Sequence, residues 1–193
     1  MNDKNMIKLV IFDLDGVLVE AKNIHYDALN KALGKEYSIS WGEHLSTYDG
    51  LKTDQKLEIL SKEKGLPIEL HTGIWDHKQK LTLQKLKQLK VSEVFIELMD
   101  SLVERGYKIA VCSNSIRKTV LTVLSKLGIM EYMDLIISNE DVKNPKPHPE
   151  MYWKAISMMS CLPEETLIIE DSPYGLLAAA RSKSHILRVK NTK

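Results

Sequence analysis

The pattern of apolar and polar positions changes rhythm twice along the chain. Near the start, Leu9-Val10-Ile11-Phe12 runs apolar without a break into Asp13-Leu14-Asp15-Gly16. Alternation would leave one face of a strand wet, whereas an unbroken run suits a strand covered on both faces. Residues 7–12 are therefore predicted to be a central strand of a parallel sheet. Side chains in extended chain alternate with a period of two, so Asp13 and Asp15 can face one place at the strand's end. Gly16 permits the sharp turn beyond them.

From about Glu20 to Lys90 no strand pattern recurs. Ile24, Ala28, Leu29, Ala32 and Leu33 form a helical stripe that stops at Gly34. A second helix is predicted from Thr53 to the Gly65-Leu66-Pro67 break. A third runs from Leu70 to Lys90, with Leu83, Leu86 and Leu89 on one side among Lys78, Lys80, Lys85, Lys87 and Lys90. After Val91 helices and strands alternate, the pattern of right-handed crossovers. Ser92 caps a helix bearing Val94, Phe95, Leu98, Met99, Leu102 and Val103 that ends at Gly106. Strands are predicted at 107–112, 134–137, 167–169 and 185–189. The helices between them carry Ile116, Val120, Leu124 and Leu127, then Met151, Tyr152, Ala155, Ile156 and Met159, and a last one opens at Ser172-Pro173. The expected fold is α/β and Rossmann-like: a five-stranded parallel sheet flanked by helices, with a small all-helical unit inserted after the first strand. Residues 1–19 and 91–193 would make the α/β core and residues 20–90 the insertion.

Composition narrows the partners. With 27 basic against 26 acidic residues in 193, the net charge of +1 gives no reason to expect a nucleic-acid or membrane surface. Cys112 and Cys161 lie in or near apolar segments and suggest neither a disulfide framework nor a metal cluster, which fits a reducing, cytoplasmic setting. Met1-Asn2-Asp3-Lys4-Asn5 has no long apolar stretch behind it, and no run reaches membrane-spanning length. A small molecule is the expected partner, and a monomer or weak homodimer the expected state.

In open parallel sheets ligands bind outside the carboxyl ends of the strands. The polar residues predicted there are Asp13 and Asp15, then Ser113 and Asn114, then Lys146 in Lys146-Pro147-His148-Pro149, then Glu170 and Asp171. Taken singly, each has a bland explanation: a helix cap for Ser113 and Asn114, a solvated lysine for Lys146, an acidic helix N-terminus for Glu170-Asp171. Taken together, one hydroxyl, one lysine and two acidic pairs on four strand ends are not independent decoration. The set resembles the haloacid dehalogenase superfamily of aspartate-nucleophile phosphotransferases. Asp-x-Asp-Gly-Val-Leu at 13–18 is similar to that family's first motif, Ser113 to its second, Lys146 to its third, and Glu170-Asp171-Ser172 with Gly175 to its fourth. The 20–90 insertion resembles the family's α-helical cap, and the nearest subgroup is that of the β-phosphoglucomutase-like phosphatases and mutases.

The chemistry of the residues agrees with that resemblance. Asp13 as nucleophile would form an aspartyl-phosphate, splitting one hard displacement into two easier ones. Asp15 would protonate the leaving oxygen and later activate water, with its pKa raised by the crowding of Asp13, Glu170 and Asp171. Mg²⁺ favours oxygen ligands, so Asp13, the Asp15 carbonyl and Asp171, with Glu170 nearby, form the expected metal set. Ser113, the Asn114 amide and Lys146 would hold the phosphoryl oxygens.

In the insertion, His25 lies where the subgroup has its cap histidine, although a packing role suits it equally. Gly50-Leu51-Lys52-Thr53 resembles the subgroup's substrate-touching cap loop, with Lys52 as substrate contact, but lacks the arginine that the sugar mutases place there. Lys78 could reach a substrate anion or simply sit on a solvated face. Ser182-Lys183-Ser184 stands where the family usually has an alanine-glycine turn, and the sequence ends four residues after the fifth strand. The expectation is a Mg²⁺-dependent phosphatase of a small phosphorylated metabolite. The alternatives are a β-phosphoglucomutase-like sugar-phosphate mutase and a non-catalytic, receiver-like phosphoryl-binding module. A receiver, however, places its phosphorylated aspartate after a later strand and has no helical insertion.

Overall fold

The computed structural model describes residues 6–189, so the opening Met1–Asn5 lies outside the described residues. Strand β1 (Leu9–Phe12) leads through α1 (Lys22–Leu33), α2 (Trp41–Glu43), α3 (Thr53–Lys64) and α4 (His71–Leu86) to α5 (Glu93–Glu104). Then follow β2 (Lys108–Cys112), α6 (Arg117–Leu127), β3 (Leu135–Ile137), α7 (Glu150–Met158), β4 (Thr166–Glu170), α8 (Pro173–Ser182) and β5 (His185–Arg188). All five strands pair in parallel in the order β3-β2-β1-β4-β5.

The unbroken apolar run of β1 is explained by its place in the middle. Val10 and Phe12 face one layer with Ile109 and Val111, against Met99 of α5 and Val120, Val123, Leu124 and Leu127 of α6. Leu9 and Ile11 face the other, with Ala110, Cys112 and Ile168, against Met151, Tyr152, Ala155 and Ile156 of α7 and Ala178 and Ala179 of α8. Each fully buried Leu or Ile is worth about 1.5–3 kcal/mol, so this four-residue strand fixes both layers at once. A third cluster, Leu29, Leu33, Ile39, Tyr48, Leu57, Leu60, Leu66 and Ile74, lies wholly within the segment between β1 and α5, on its helices and the loops joining them.

Two features of that helical stretch differ from the sequence expectation. The helix expected over 70–90 is α4, four residues shorter at its end, and its buried positions are Ile74, Lys78, Gln79, Thr82 and Leu86. The lysine-studded helix is thus not uniformly a solvated face: Lys78 is 5% exposed. A short helix at Trp41–Glu43, running into a wide π-type turn at His44–Tyr48, was not expected. Ser40 caps it reciprocally with Glu43, a signature too brief to stand out without an apolar repeat behind it. Cys112 and Cys161 are both free and buried. No helix among the described residues is long and apolar enough to cross a membrane.

Candidate active site

The strand order reverses at β1, so the carboxyl ends of β1, β2 and β4 meet at one crevice. Asp13 N–H donates to Ile169 C=O at 2.9 Å, carrying the β1–β4 pairing one residue past the strand and fixing where the Asp13 side chain emerges. Lys146, 2% exposed, donates to Asp13 Oδ1 at 2.5 Å, to Glu170 Oε1 at 2.5 Å and to the Cys112 carbonyl at 2.9 Å, so its three protons are all committed. Its Nζ also sits 5.1 Å from the centre of the Tyr152 ring. Glu170 is saturated: Oε1 also accepts from Tyr152 O–H at 2.9 Å, and Oε2 accepts from the N–H groups of Asp171 and Ser172 and from the Ser172 hydroxyl.

One oxygen each of Asp13, Glu170 and Asp171 lie within 4.8 Å of one another, all buried. Among the described residues Asp171 Oδ1 has no partner, and Oδ2 has only the Lys22 ammonium, 2.8 Å away. Burial and the neighbouring Glu170 charge push Asp13 well above the ordinary carboxylate range despite Lys146, and burial raises Asp171 as well. Three buried carboxylates, one of them with an orphaned oxygen, face two ammonium groups. An all-oxygen donor set with this surplus of negative charge fits a hard divalent cation such as Mg²⁺. Glycine is required beside it: a Cβ at Gly16 would overlap the Asp171 carboxylate, and one at Gly175 the Glu170 carboxylate. Gly16 also has φ +94°, which side chains rarely adopt.

Asp15 departs from expectation. Crowding by the other carboxylates predicts a raised value, but hydrogen-bond partners hold both of its oxygens. Oδ1 meets His25 Nε2 at 3.1 Å and Oδ2 accepts from Ser115 O–H at 2.8 Å. Burial alone would raise it, but the charge and hydrogen bond of His25, the Ser115 hydroxyl and Lys78 outweigh that and bring it down to about 2. His25 in turn contacts Lys78 Nζ through Nδ1 at 3.3 Å. Burial and the other cations lower His25, against the pull of Asp15. His25 therefore sits in the site and links α1 and α4 to the turn after β1.

A cavity of about 240 Å³ opens between these residues and the helical stretch, lined by Asp13, Asp15, Ser113, Asn114, Lys146, His25 and Lys52 among others. All the candidates from sequence line it except Glu170 and Asp171, which are buried beside Asp13. Ser113 Oγ accepts from the Ser115 N–H at 3.0 Å. The Asn114 side chain is spent on bridging, donating to Gly50 C=O at 2.8 Å and Lys146 C=O at 3.1 Å and accepting from Lys146 N–H at 3.0 Å. Lys52 is at the rim, with a loose 3.7 Å pair to Asp54.

Four contributors escaped the sequence reading. Ser115 adjoins the expected strand end, and only the turn geometry aims it at Asp15. Tyr152 lies on an apolar stripe and read as core. Lys22 bridges Asp171 and Asp49, the latter at 3.3 Å. Lys56, 5% exposed, shares a helix face with Leu57 and Leu60, the one signal that could have marked it.

Known proteins resemble this chain over most of its length. The family model of haloacid dehalogenase-like hydrolases matches residues 10–189. The chain is 25% identical over 182 residues to a phosphorylated carbohydrates phosphatase of Thermotoga maritima, covering 90% of this chain and 80% of that protein. It is 25% identical over 173 residues to a pyrophosphatase of Anoxybacillus flavithermus, covering 89% and 78%. Among solved structures, a β-phosphoglucomutase from Clostridium difficile superposes with a TM-score of 0.86 at 25% identity, covering 96% of this chain and 86% of that one. With nearly its whole length matched and the acidic, lysine and hydroxyl groups gathered at the reversal of strand order, the chain belongs to the haloacid dehalogenase-like hydrolase family.

Proposed function

We propose that this chain is a Mg²⁺-dependent phosphatase that hydrolyses small phosphomonoesters through an aspartyl-phosphate on Asp13. The observation that carries the reading is the 2.5 Å Lys146–Asp13 contact beside the buried Glu170 and Asp171 oxygens, with Asp15 lining the same cavity. Asp13 has one oxygen held by Lys146 and the other free of hydrogen bonds from described residues, which leaves a lone pair to attack phosphorus. The P–O ester bond breaks as the P–O bond to Asp13 forms, and the leaving oxygen takes a proton from Asp15. Water then attacks the acyl phosphate, giving its proton back to Asp15 and releasing phosphate.

The carboxylate form of Asp15, favoured by His25 and Ser115, is the one that accepts this proton. A phosphate dianion beside it raises its proton affinity and so supplies the acid form. Asp13, the Asp15 carbonyl and Asp171, supported by Glu170, would hold Mg²⁺, whose charge offsets that of the phosphoryl oxygens. Residues 20–90 act in this reading as a cap that excludes water, and Asn114 ties it to the core through Gly50.

Phosphate release from p-nitrophenyl phosphate tests this. Turnover is expected in MgCl₂ and lost in EDTA and in Asp13→Asn; unchanged turnover in that variant overturns the mechanism. The likeness to a β-phosphoglucomutase favours a second reading, a sugar-phosphate mutase. It predicts isomerised product with a bisphosphate primer, and hydrolysis alone would count against it.

A further inference from the structure

Resting on the phosphatase reading, we propose that Lys56, together with Lys78, forms a subsite for a second anionic group, phosphate or carboxylate, carried on the leaving group of the substrate. Lys56 is 5% exposed and lines the cavity, yet its ammonium makes no hydrogen bond or ion pair with any described residue. A lysine whose stem is buried and whose ammonium meets only the cavity is unusual unless a ligand supplies a partner.

The nearby acids do not supply it. Asp49 is held by Lys22 at 3.3 Å, and Asp15 by His25 and Ser115. Asp54, also in the lining, is more than half exposed and leans toward Lys52. Lys78, likewise 5% exposed, has among the described residues one hydrogen-bond partner, the His25 ring, and feels Asp15 only as a more distant charge. Lys56 lies in the first turn of α3, whose opening residues Thr53 and Asp54 line the same cavity, and a helix N-terminus adds positive potential there. Burial lowers Lys56 to about 8 against the pull of Asp49 and Asp15, and burial with the Lys56 charge lowers Lys78 to about 7 against that of Asp15. Trp75 and Leu51 in the lining leave an apolar wall for the body of the leaving group. The phosphoryl end is set by Asp13 and Lys146, so a substrate with one anion would leave the lysine pair unanswered.

The test compares kcat/KM of the whole chain in MgCl₂ for propyl phosphate, 3-phosphooxypropanoate and propane-1,3-diol bisphosphate. One or both anionic homologues are expected to exceed propyl phosphate about tenfold to a hundredfold, the worth of a charge-assisted hydrogen bond, and which of them does so separates carboxylate from phosphate. In Lys56→Met the ratio is expected to collapse to within about threefold, chiefly through KM, and Lys56→Arg to restore part of it. Equal or better turnover of propyl phosphate by the wild type overturns the proposal, whether or not any variant folds. So does an unchanged ratio in Lys56→Met. Asp13-dependent hydrolysis of p-nitrophenyl phosphate alongside either result would leave the phosphatase reading standing, and its absence would remove both.

Discussion

Replacing Lys56 by Met should stabilise the protein while blunting its selectivity, and the size of the gain follows from burial. The lysine falls from 10.5 to about 8 because the folded chain strips water from its ammonium without giving it a partner. At about 1.4 kcal/mol per pH unit, this is about 3 kcal/mol held against the folded state while the group is charged. Between pH 8 and 10.5 the unfolded chain binds more protons than the folded one, so stability due to this group rises with pH across that window. Below pH 8 the cost is fully present. Met keeps the packing volume and removes the charge, so at pH 7 the variant should be more stable by about 3 kcal/mol, about 6–12 °C in Tm for a chain of this size. Urea melts of wild type and variant at pH 7 and pH 10.5 read both the gain and its loss, and relief of Lys78, which the Lys56 charge lowers, adds to the gain. A variant that unfolds at equal or lower urea at pH 7 with an unchanged slope, or a gap that does not shrink toward pH 10.5, would refute the reasoning.

Three further substitutions probe the site and the chain's ending. Tyr152→Phe removes the 2.9 Å donor to the buried Glu170 and should cost about 1.5–3 kcal/mol in urea melts; a neutral effect would mean that Glu170 does not rely on it. Gly16→Ala places a methyl against Asp171 at φ +94°, so calorimetric Mg²⁺ affinity should drop at least about tenfold, and an unaltered affinity would remove Asp171 from the metal set. Lys183→Gly relieves a left-handed lysine at the end of α8, with φ 64° and ψ 23°, and should gain about 0.5–1 kcal/mol; a loss would show that the side chain contributes more than its backbone strains.

Much of the architecture was legible before any coordinates. The unbroken Leu9–Phe12 run could belong only to a strand covered on both faces, and glycines 106 and 128 mark where α5 and α6 give way. Acidic, hydroxyl and lysine side chains at successive strand ends announced a crevice because strand ends are where a parallel sheet leaves its polar groups unshared. The short Trp41–Glu43 helix was not legible, since a single turn carries no periodicity.

Sequence by itself thus determined the strands and which polar residues, Asp13, Lys146 and Asp171 among them, follow their carboxyl ends, because local pattern and covalent order decide that. Only the tertiary structure decided what surrounds them. Asp15 has a low rather than a raised pKa because α1 brings His25, and the turn after β2 brings Ser115, to within hydrogen-bond reach across ten and a hundred residues. Lys56 and Lys78 become unanswered buried charges because α3 and α4 close over the cavity. Burial and charge pairing depend on distances between segments remote in the chain, and those distances are set by packing.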